Sequence, residues 1–384
     1  MAFLGNDVVN RFNLHSGIQA IAQFGAGIFL LVFLIHAGFS VPAALLTMSA
    51  IQALRFILRP LVLPLAIRWG LKPVLIAGVL VLALQYPLLA QVHVVGPQLL
   101  LFCCVSAFGD VLYWPTYHSY FAIVGDSEHR GHQVSAREAL IAAVGIAAPL
   151  LGAWALLALG ANLMFSAFGV VQALAVLPLI SAPDAQVQRE SPPVFASARF
   201  AALLALNSGW HEGWSALVWP IALFLALGSS FSAYGGAMAL AALAGATFGM
   251  LLGKHVDGGQ GRRTTLIAYG VGTMLTVLRA CSGGVATVVV IANTLAAFAP
   301  PLHAAAANPP FYNLAQRSPC PLRFFLITEA AWDLGCGSAC AVAAGLIALG
   351  APMAITLLLA IPAIAAEATL LWGYYGNALG AESR

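Results

Sequence analysis

Long apolar segments, separated by a few glycine, proline or charged residues, constrain the fold of this chain more than any other feature. A helix needs about 20 apolar residues to cross a bilayer. Twelve segments meet this length, at roughly 14–38, 41–67, 71–90, 97–123, 135–158, 161–181, 200–226, 231–253, 264–281, 284–303, 323–348 and 352–376. Charged residues are only 8% of the 384, against about 25% in soluble domains. The sequence predicts an all-α integral membrane protein with twelve transmembrane helices.

The placement of lysine and arginine predicts the orientation of these helices. Loops that remain in the cytoplasm carry an excess of both residues. Thirteen of the sixteen fall on the side where twelve spans also place the termini: Arg11, Arg68, Lys72, Arg130, Arg137, Arg189, Arg199, Lys254, Arg262, Arg263, Arg317, Arg323 and Arg384. Arg279 lies near the opposite side, and Arg55 and Arg59 lie within the second helix. We expect a multi-pass protein of the cell (inner) membrane with both termini in the cytoplasm.

One polar stretch divides the chain into two halves of similar pattern. The segment SAPDAQVQRESPPVFASAR between the sixth and seventh predicted helices is rich in proline, glutamine and charge, which is typical of a linker. It predicts a first six-helix bundle over 1–181, a cytoplasmic linker over 182–199 and a second bundle over 200–384. Residues 63–75 match 253–266 at the same place in each half. Internal repeats of this kind are typical of duplicated transporter folds.

Four short motifs lie at defined places relative to the predicted helices. Two are corresponding loops, after the second and the eighth predicted helix. A third lies between the fourth and fifth helices, and the last is within the fifth helix. Their defining residues are Arg68, Gly70 and Lys72, then Asp257, Arg262 and Arg263, then Asp126, Arg130 and Gly131, and finally Gly145, Pro149 and Gly152.

The motifs resemble those of the major facilitator superfamily, and the resemblance covers essentially the whole chain. It implies two six-helix bundles that rock about a central site to give alternating access. The motif of the fifth helix resembles that of the family's antiporters and implies export in exchange for protons. The chain departs from the family at Ile67, where the first loop has an aspartate, and near Cys103 and Cys104, where the fourth helix has an arginine.

An acid in the fourth predicted helix indicates a polar cavity. Charged side chains within a bilayer cost a few kcal/mol, so they usually face a cavity or a partner. Helical periodicity places Asp110 on one face with Tyr113, Trp114 and Tyr117, and Pro115 interrupts the hydrogen bonds of that helix. We interpret this stripe as a cavity wall. The alternative is that Asp110 bonds to a neighbouring helix and only holds the bundle together.

The seventh predicted helix carries a second central acid, Glu212, and Ser215 and Trp219 share its face. Two acids near the middle of the membrane, without an equally central base, predict a site for a cationic solute or for a proton.

Two pairs of opposite charge predict a gate between the halves. Arg55 and Arg59 are four residues apart in the second helix, and Glu329 and Asp333 are four apart in the eleventh. Depth along the helices matches Arg59 with Glu329 and Arg55 with Asp333, and the resemblance implies that these helices meet across the bundles. The alternative is that Arg59 and Glu329 reach the membrane interface. Glu138 is the repeat partner of Glu329; it either faces Lys254 or His255 or is solvated at the start of its helix.

These features together predict a secondary transporter that moves a small solute, with a cationic solute and protons as the expected partners and a monomer as the working unit. The sequence has no nucleotide-binding, hydrolase or metalloprotease motif, so neither enzymatic activity nor a cofactor or metal is predicted. Nucleic acid is not an expected partner. The rival class is a non-transporting membrane protein, such as a scaffold, an assembly factor or a sensor, and the two departures from the family favour it.

Overall fold

The computed structural model describes residues 7–124, 130–252 and 261–382, and this part of the chain is built from helices joined by short turns. The predicted all-α class is confirmed. The helices, in chain order, are α1 Asp7–Gly25, α2 Leu30–His36, α3 Val41–Leu58, α4 Val62–Trp69, α5 Leu71–Leu89, α6 Pro97–Val124, α7 Arg130–Leu174, α8 Leu177–Ile180, α9 Phe195–Glu212, α10 Trp219–Ala226, α11 Phe231–Leu252, α12 Gly261–Ala280, α13 Ala286–Ala296, α14 Ala299–Arg317, α15 Pro321–Ala348, α16 Met353–Leu357 and α17 Ile361–Glu382.

Nine helical stretches within the described ranges are long and apolar enough to cross a membrane. The protein is therefore a multi-pass membrane protein. The fifth and sixth predicted spans are adjoining parts of one stretch, Leu140–Ile180, and they part at Gly160, whose φ of 80° is readily adopted only by glycine. The seventh and ninth predicted spans correspond to α9–α10 and to α12, which are not among the nine. Both carry polar side chains that line a cavity, which lowers their hydropathy.

The tenth predicted helix is longer than the sequence indicates. Its expected end near 303 is wrong, because α14 continues to Arg317 through Pro309 and Pro310. Proline has no N–H, so Pro310 leaves the Ala306 carbonyl without its usual helical donor. The hydroxyl of Tyr375 in α17 donates to that carbonyl at 2.8 Å. A neighbouring helix therefore compensates for the proline.

Several helix pairs join the first half of the chain to the second. The central pair is α3 with α15, and α15 also contacts α6. A second pair, α7 with α11, lies alongside, and α2 contacts α10. Near α2, Phe29 packs edge-on against Tyr234, whose hydroxyl donates to the Ile28 carbonyl at 3.1 Å. The candidate site lies along these contacts.

The connecting segment is anchored to the first half at its start. The carboxylate of Asp184 accepts a hydrogen bond from the Lys72 backbone N–H at 3.0 Å, in the first turn of α5. The Lys72 ammonium donates to the carbonyl of Ala182 at 2.8 Å, and the Tyr120 hydroxyl donates to the carbonyl of Pro183 at 2.6 Å. An acid at a helix N-terminus satisfies an open N–H and complements the helix dipole. Asp184 thus stabilises the turn beside Gly70.

Candidate functional site

A cluster of five charged side chains joins three helices at the contact between the two halves. Arg55 on α3 lies 2.9 Å from Asp333 and 3.6 Å from Glu329, both on α15, and 3.4 Å from Asp110 on α6. Arg59 also forms a salt bridge with Asp333 and lies 3.8 Å from Glu329. We call these five residues the ionic cluster. Its members come from both halves of the chain, so it links them directly.

Three members of the ionic cluster are almost fully removed from solvent. The side chain of Asp333 is 0% exposed, that of Arg59 is 3% exposed and that of Arg55 is 6% exposed. Charges buried to this degree are stable only when they are paired. The four-residue spacing on α3 and on α15 makes this possible, because it places both members of each pair on the same face of their helix.

The geometry is more connected than two separate ion pairs. The predicted contacts of Arg55 with Asp333 and of Arg59 with Glu329 are present, and two crossed contacts accompany them. The expectation that the central acids lack a base does not hold for Asp110, which pairs with Arg55 and accepts a hydrogen bond from the Trp114 indole N–H at 3.1 Å. Depth alone could not predict the crossed contacts, because each guanidinium has five N–H donors and can reach two acids.

His118 extends this group of residues, and the sequence did not identify it as a site residue. Its Nε2 lies 3.6 Å from the Glu329 carboxylate. Its ring stacks on Phe325 of α15, with a centroid distance of 5.3 Å. The position of His118 one turn after Trp114 was the available signal, since both lie on the same face of α6.

Tyr113 and Tyr117 face the first helix and not the described cavities. The Tyr113 hydroxyl lies 3.0 Å from His15 Nε2, and the Tyr117 hydroxyl lies 2.9 Å from Ser16 Oγ. Both tyrosines are buried. The shared stripe on α6 is real, but its aromatic part packs within the first half while its acid faces α3.

A cavity of about 460 Å³ lies in the second half, between α9, α12, α14 and α17. Glu212 and Ser215, which the sequence placed in a cavity, both line it. Trp219 is buried beside it, and its indole N–H donates to Asn293 at 2.9 Å. Other polar lining residues are Ser208, His211, Tyr269, Thr276, Arg279, His303, Asn308 and Glu367.

Glu367 is a third acid of this cavity, in a helix where the sequence suggested no role. It is 2% exposed, and its carboxylate accepts a hydrogen bond from the Tyr269 hydroxyl at 3.0 Å. His211 Nδ1 lies 3.9 Å from the same carboxylate. His303 stacks on Tyr269, with a centroid distance of 4.6 Å. A single acid in an apolar helix was the signal, but its partners come from two other helices and no spacing rule connects them.

A second cavity, of about 270 Å³, adjoins the first and extends to the ionic cluster. It is lined by Glu212 and Asn308, which also line the first cavity, and by His118 and Glu329. Glu212 is exposed where the two cavities meet. Glu212 therefore belongs both to the larger cavity and to the cavity that reaches the contact between the halves.

The residues of the signature loops lie away from these cavities. Arg68 lies in the last turn of α4, Gly70 has a φ of 89° between α4 and α5, and Lys72 binds the connecting segment. Arg262 stacks over Trp372, at 4.8 Å, and Arg263 follows it in α12. Asp126 and Asp257 lie outside the described residues. Arg130, Gly131 and Glu138 belong to α7, and their side chains lie outside the described part of the structure. Lys254 and His255 lie outside the described residues, so the contact of Glu138 with either of them stays a prediction.

The motif of the fifth predicted helix lies where α7 packs against α1 and α11. A side chain on Gly235 of α11 would meet the Pro149 carbonyl at 2.7 Å, and one on Gly145 would meet Ala242 at 3.6 Å. Gly152 faces the backbone of Gly25 in α1. Small residues allow close approach of membrane helices, so the motif sets the spacing at this contact between the halves.

The overall structure is similar to solved membrane transporters. The human organic anion transporter MFSD10 (TETRAN) matches with a TM-score of 0.68 and 16% identity, over 95% of this chain and 99% of that one. A mutant of the nucleoside transporter NupG matches with a TM-score of 0.69 and 12% identity, over 95% and 99%. The POT family transporter PepTSo matches with a TM-score of 0.74 and 12% identity, over 97% and 98%. No protein-family model and no curated protein matches the sequence.

These matches show that the chain shares the helical fold of these transporters. The chain has a fold of the major facilitator superfamily type, and the likeness covers nearly its whole length. The resemblance predicted from the motifs is confirmed at the level of the fold.

Proposed function

We propose that this protein is a secondary active transporter of a small solute, with twelve membrane-crossing helices in two bundles, residues 1–181 and 200–384, joined by a cytoplasmic linker. The basic loops favour cytoplasmic termini in a cell (inner) membrane. One chain contains both bundles and every residue of the candidate site, which supports a working monomer. The proposal rests on one observation, namely the position of Glu212.

Glu212 lies at the junction of the two cavities. The larger one, of about 460 Å³, is called the chamber below, and the smaller one extends to the ionic cluster. A titratable group there can sense what occupies the chamber and act on the contact between the halves. An acid exposed to a cavity inside the membrane can hold a proton or the cationic group of a solute. We therefore assign Glu212 as the residue that couples binding to movement.

The ionic cluster is proposed as the gate. Arg55 on α3 and Arg59, which directly follows α3, can hold α15 only while the halves are close. Separation breaks their pairs with Glu329 and Asp333, so these charges must become hydrated or exchange partners, whereas Arg55 and Asp110 both belong to the first half. Protonation of one carboxylate, or its contact with a solute, weakens the pairing and favours separation. Alternating access then follows from two packed arrangements of the same helices.

Export in exchange for protons is the proposed direction of transport. It rests on the antiporter-like motif Gly145, Pro149 and Gly152 at the contact of α7 with α11. The acidic residues of the chamber, Glu212 and Glu367, favour a solute with a cationic group. Everted vesicles, with the solute added outside and a proton gradient imposed, test this direction. Accumulation inside the vesicles supports export, and gradient-driven loss of preloaded solute contradicts it.

The first experiment measures proton release from purified protein in detergent while candidate solutes are added. Wild-type protein is compared with Glu212→Gln and Asp110→Asn. Glu190→Gln is the matched control, because Glu190 is an exposed glutamate of the connecting segment. We expect solute-triggered release in the wild type and the control, and its loss in Glu212→Gln.

Two results would contradict the proposal. Unchanged release in Glu212→Gln would remove Glu212 from the coupling mechanism. Absence of release with every solute, together with absence of flux in proteoliposomes, would favour the non-transporting class.

A further inference from the structure

Arg279 is a cation of the chamber without an acidic partner among the described residues. It lies in the last turn of α12 and lines the 460 Å³ cavity. Among the described residues, no carboxylate lies within 4.0 Å of its guanidinium, and its Nε is buried without a hydrogen-bond partner. Its guanidinium donates to the Ser215 carbonyl at 3.5 Å and lies over the face of Trp219 at 4.8 Å. An unpaired guanidinium of this kind can bind an anionic group.

Local backbone structure explains why Arg279 is held in this place. Residues Gly213–Val218 form a π-helix, in which the Trp219 N–H reaches the Trp214 carbonyl, five residues back. The next residue, Pro220, has no N–H. The Ser215 carbonyl therefore lacks its usual helical donors, and Arg279 donates to it. Such π segments are frequent at functional sites.

Stacking on Trp219 leaves much of the guanidinium available. The flat face of Arg279 is covered by the indole, while its five N–H donors point outward in the plane of the group. One of them reaches Ser215, and others remain for a ligand. A carboxylate is the group that fits a guanidinium edge best, through two parallel hydrogen bonds.

We infer that the chamber binds a small zwitterion, with the ligand's carboxylate at Arg279 and its amino group at Glu212. This inference rests on the proposed function and adds a substrate class to it. Glu212 and Arg279 both line this cavity, and Arg279 is held at the carbonyl of Ser215, three residues after the acid. A chamber of about 460 Å³ is within the range of roughly 300–1,000 Å³ that is typical of small-molecule sites.

The test uses pairs of probes that differ only in the carboxylate. Glycine, γ-aminobutyrate and ε-aminocaproate are each compared with the alkylamine that lacks the acid, namely methylamine, propylamine and pentylamine. Binding to the full-length protein in detergent is followed by calorimetry and by thermal stabilisation. For the best-fitting chain length, we expect the amino acid to bind roughly 10- to 100-fold more tightly than its amine, as for a hydrogen bond to a charged group.

Arg279→Gln should remove this preference and leave amine binding unchanged, whereas Glu212→Gln should weaken both probes of a pair. Arg262→Gln is the matched control: this arginine lies in the first turn of the same helix, stacks over Trp372 at 4.8 Å and donates to its carbonyl at 3.3 Å, but it does not line the chamber. Arg279→Lys keeps the charge and should retain part of the preference, which separates lost recognition from misfolding.

The inference is overturned if the wild type binds every amine as well as its amino acid, or if Arg279→Gln keeps the full preference. Proton release triggered by an amine alone would then leave the proposed transport of a cation standing. Loss of all solute-triggered release would instead contradict the proposed function itself.

Discussion

Replacement of Arg55 by glutamine tests the ionic cluster most directly. In the wild type, two guanidinium groups face three carboxylates, and Arg55 contacts all three of them. Arg55→Gln leaves Arg59 alone with three acids, one of which, Asp333, is 0% exposed. The variant therefore buries negative charge that has lost its partner. We expect a large loss of stability.

The size of this loss can be worked out from general magnitudes. Removal of one partner from a buried ion pair costs about 3–5 kcal/mol. Unfolding entropy is about 2.1 cal/mol/K per residue, or roughly 0.8 kcal/mol/K for 384 residues. The melting temperature should therefore fall by roughly 4–6 °C. Arg68→Gln, at an exposed arginine in the last turn of α4, should change stability by less than about 0.5 kcal/mol.

A second substitution separates lost charge balance from lost packing. Arg55→Gln with Asp333→Asn restores the net charge of the cluster, because one cation and one anion are removed together. The two positions of this double variant should show an interaction energy of roughly 0.5–3 kcal/mol, the range typical of residues in one ionic network. Thermal melts in detergent, with transport rates in proteoliposomes, provide both readouts.

Two results would refute the reasoning. One is a double variant whose loss equals the sum of the two single losses, since the charges would then not be coupled. The other is equal melting of Arg55→Gln and Arg68→Gln, which would mean that the buried guanidinium contributes no more than an exposed one.

Two further predictions concern helix contacts outside the cavities. Gly235→Ala should destabilise the contact of α11 with α7 by about 1–3 kcal/mol, because the added methyl group meets the Pro149 carbonyl at 2.7 Å. Its neighbour Gly236 has open space around it and is the control in the same melting experiment, where equal effects of the two substitutions would argue against the close approach. Asp184→Ala should cost about 0.5–2 kcal/mol through loss of the hydrogen bond from the Lys72 N–H; unchanged protease cleavage of the connecting segment would contradict this anchoring role.

Local sequence information was sufficient for the class of fold and for four of the five residues of the cluster. The length of the apolar segments follows from bilayer thickness, so helices could be recognised one at a time. Four-residue spacing likewise placed Arg55 with Arg59 and Glu329 with Asp333 on shared faces. The order of the motifs then indicated which helices meet.

Proline and polar residues misled the sequence interpretation where a distant residue compensates for them. The continuation of α14 past Pro310 depends on Tyr375, which is far away in the chain. The low hydropathy of α9 and α12 results from side chains that face the chamber and not lipid. In both cases the local pattern was read correctly, but its structural consequence depends on residues of another helix.

The sequence alone therefore determined a multi-pass helical protein with charges buried between its halves. Only the tertiary structure decided that Asp110 pairs with Arg55, that Glu367 joins Tyr269 and His211, and that Arg279 has no acidic partner within the described ranges. The physical reason is that helix periodicity sets the direction of a side chain relative to its own axis. Which partner lies in that direction depends on the rotation and packing of the neighbouring helices, and these are properties of the whole fold.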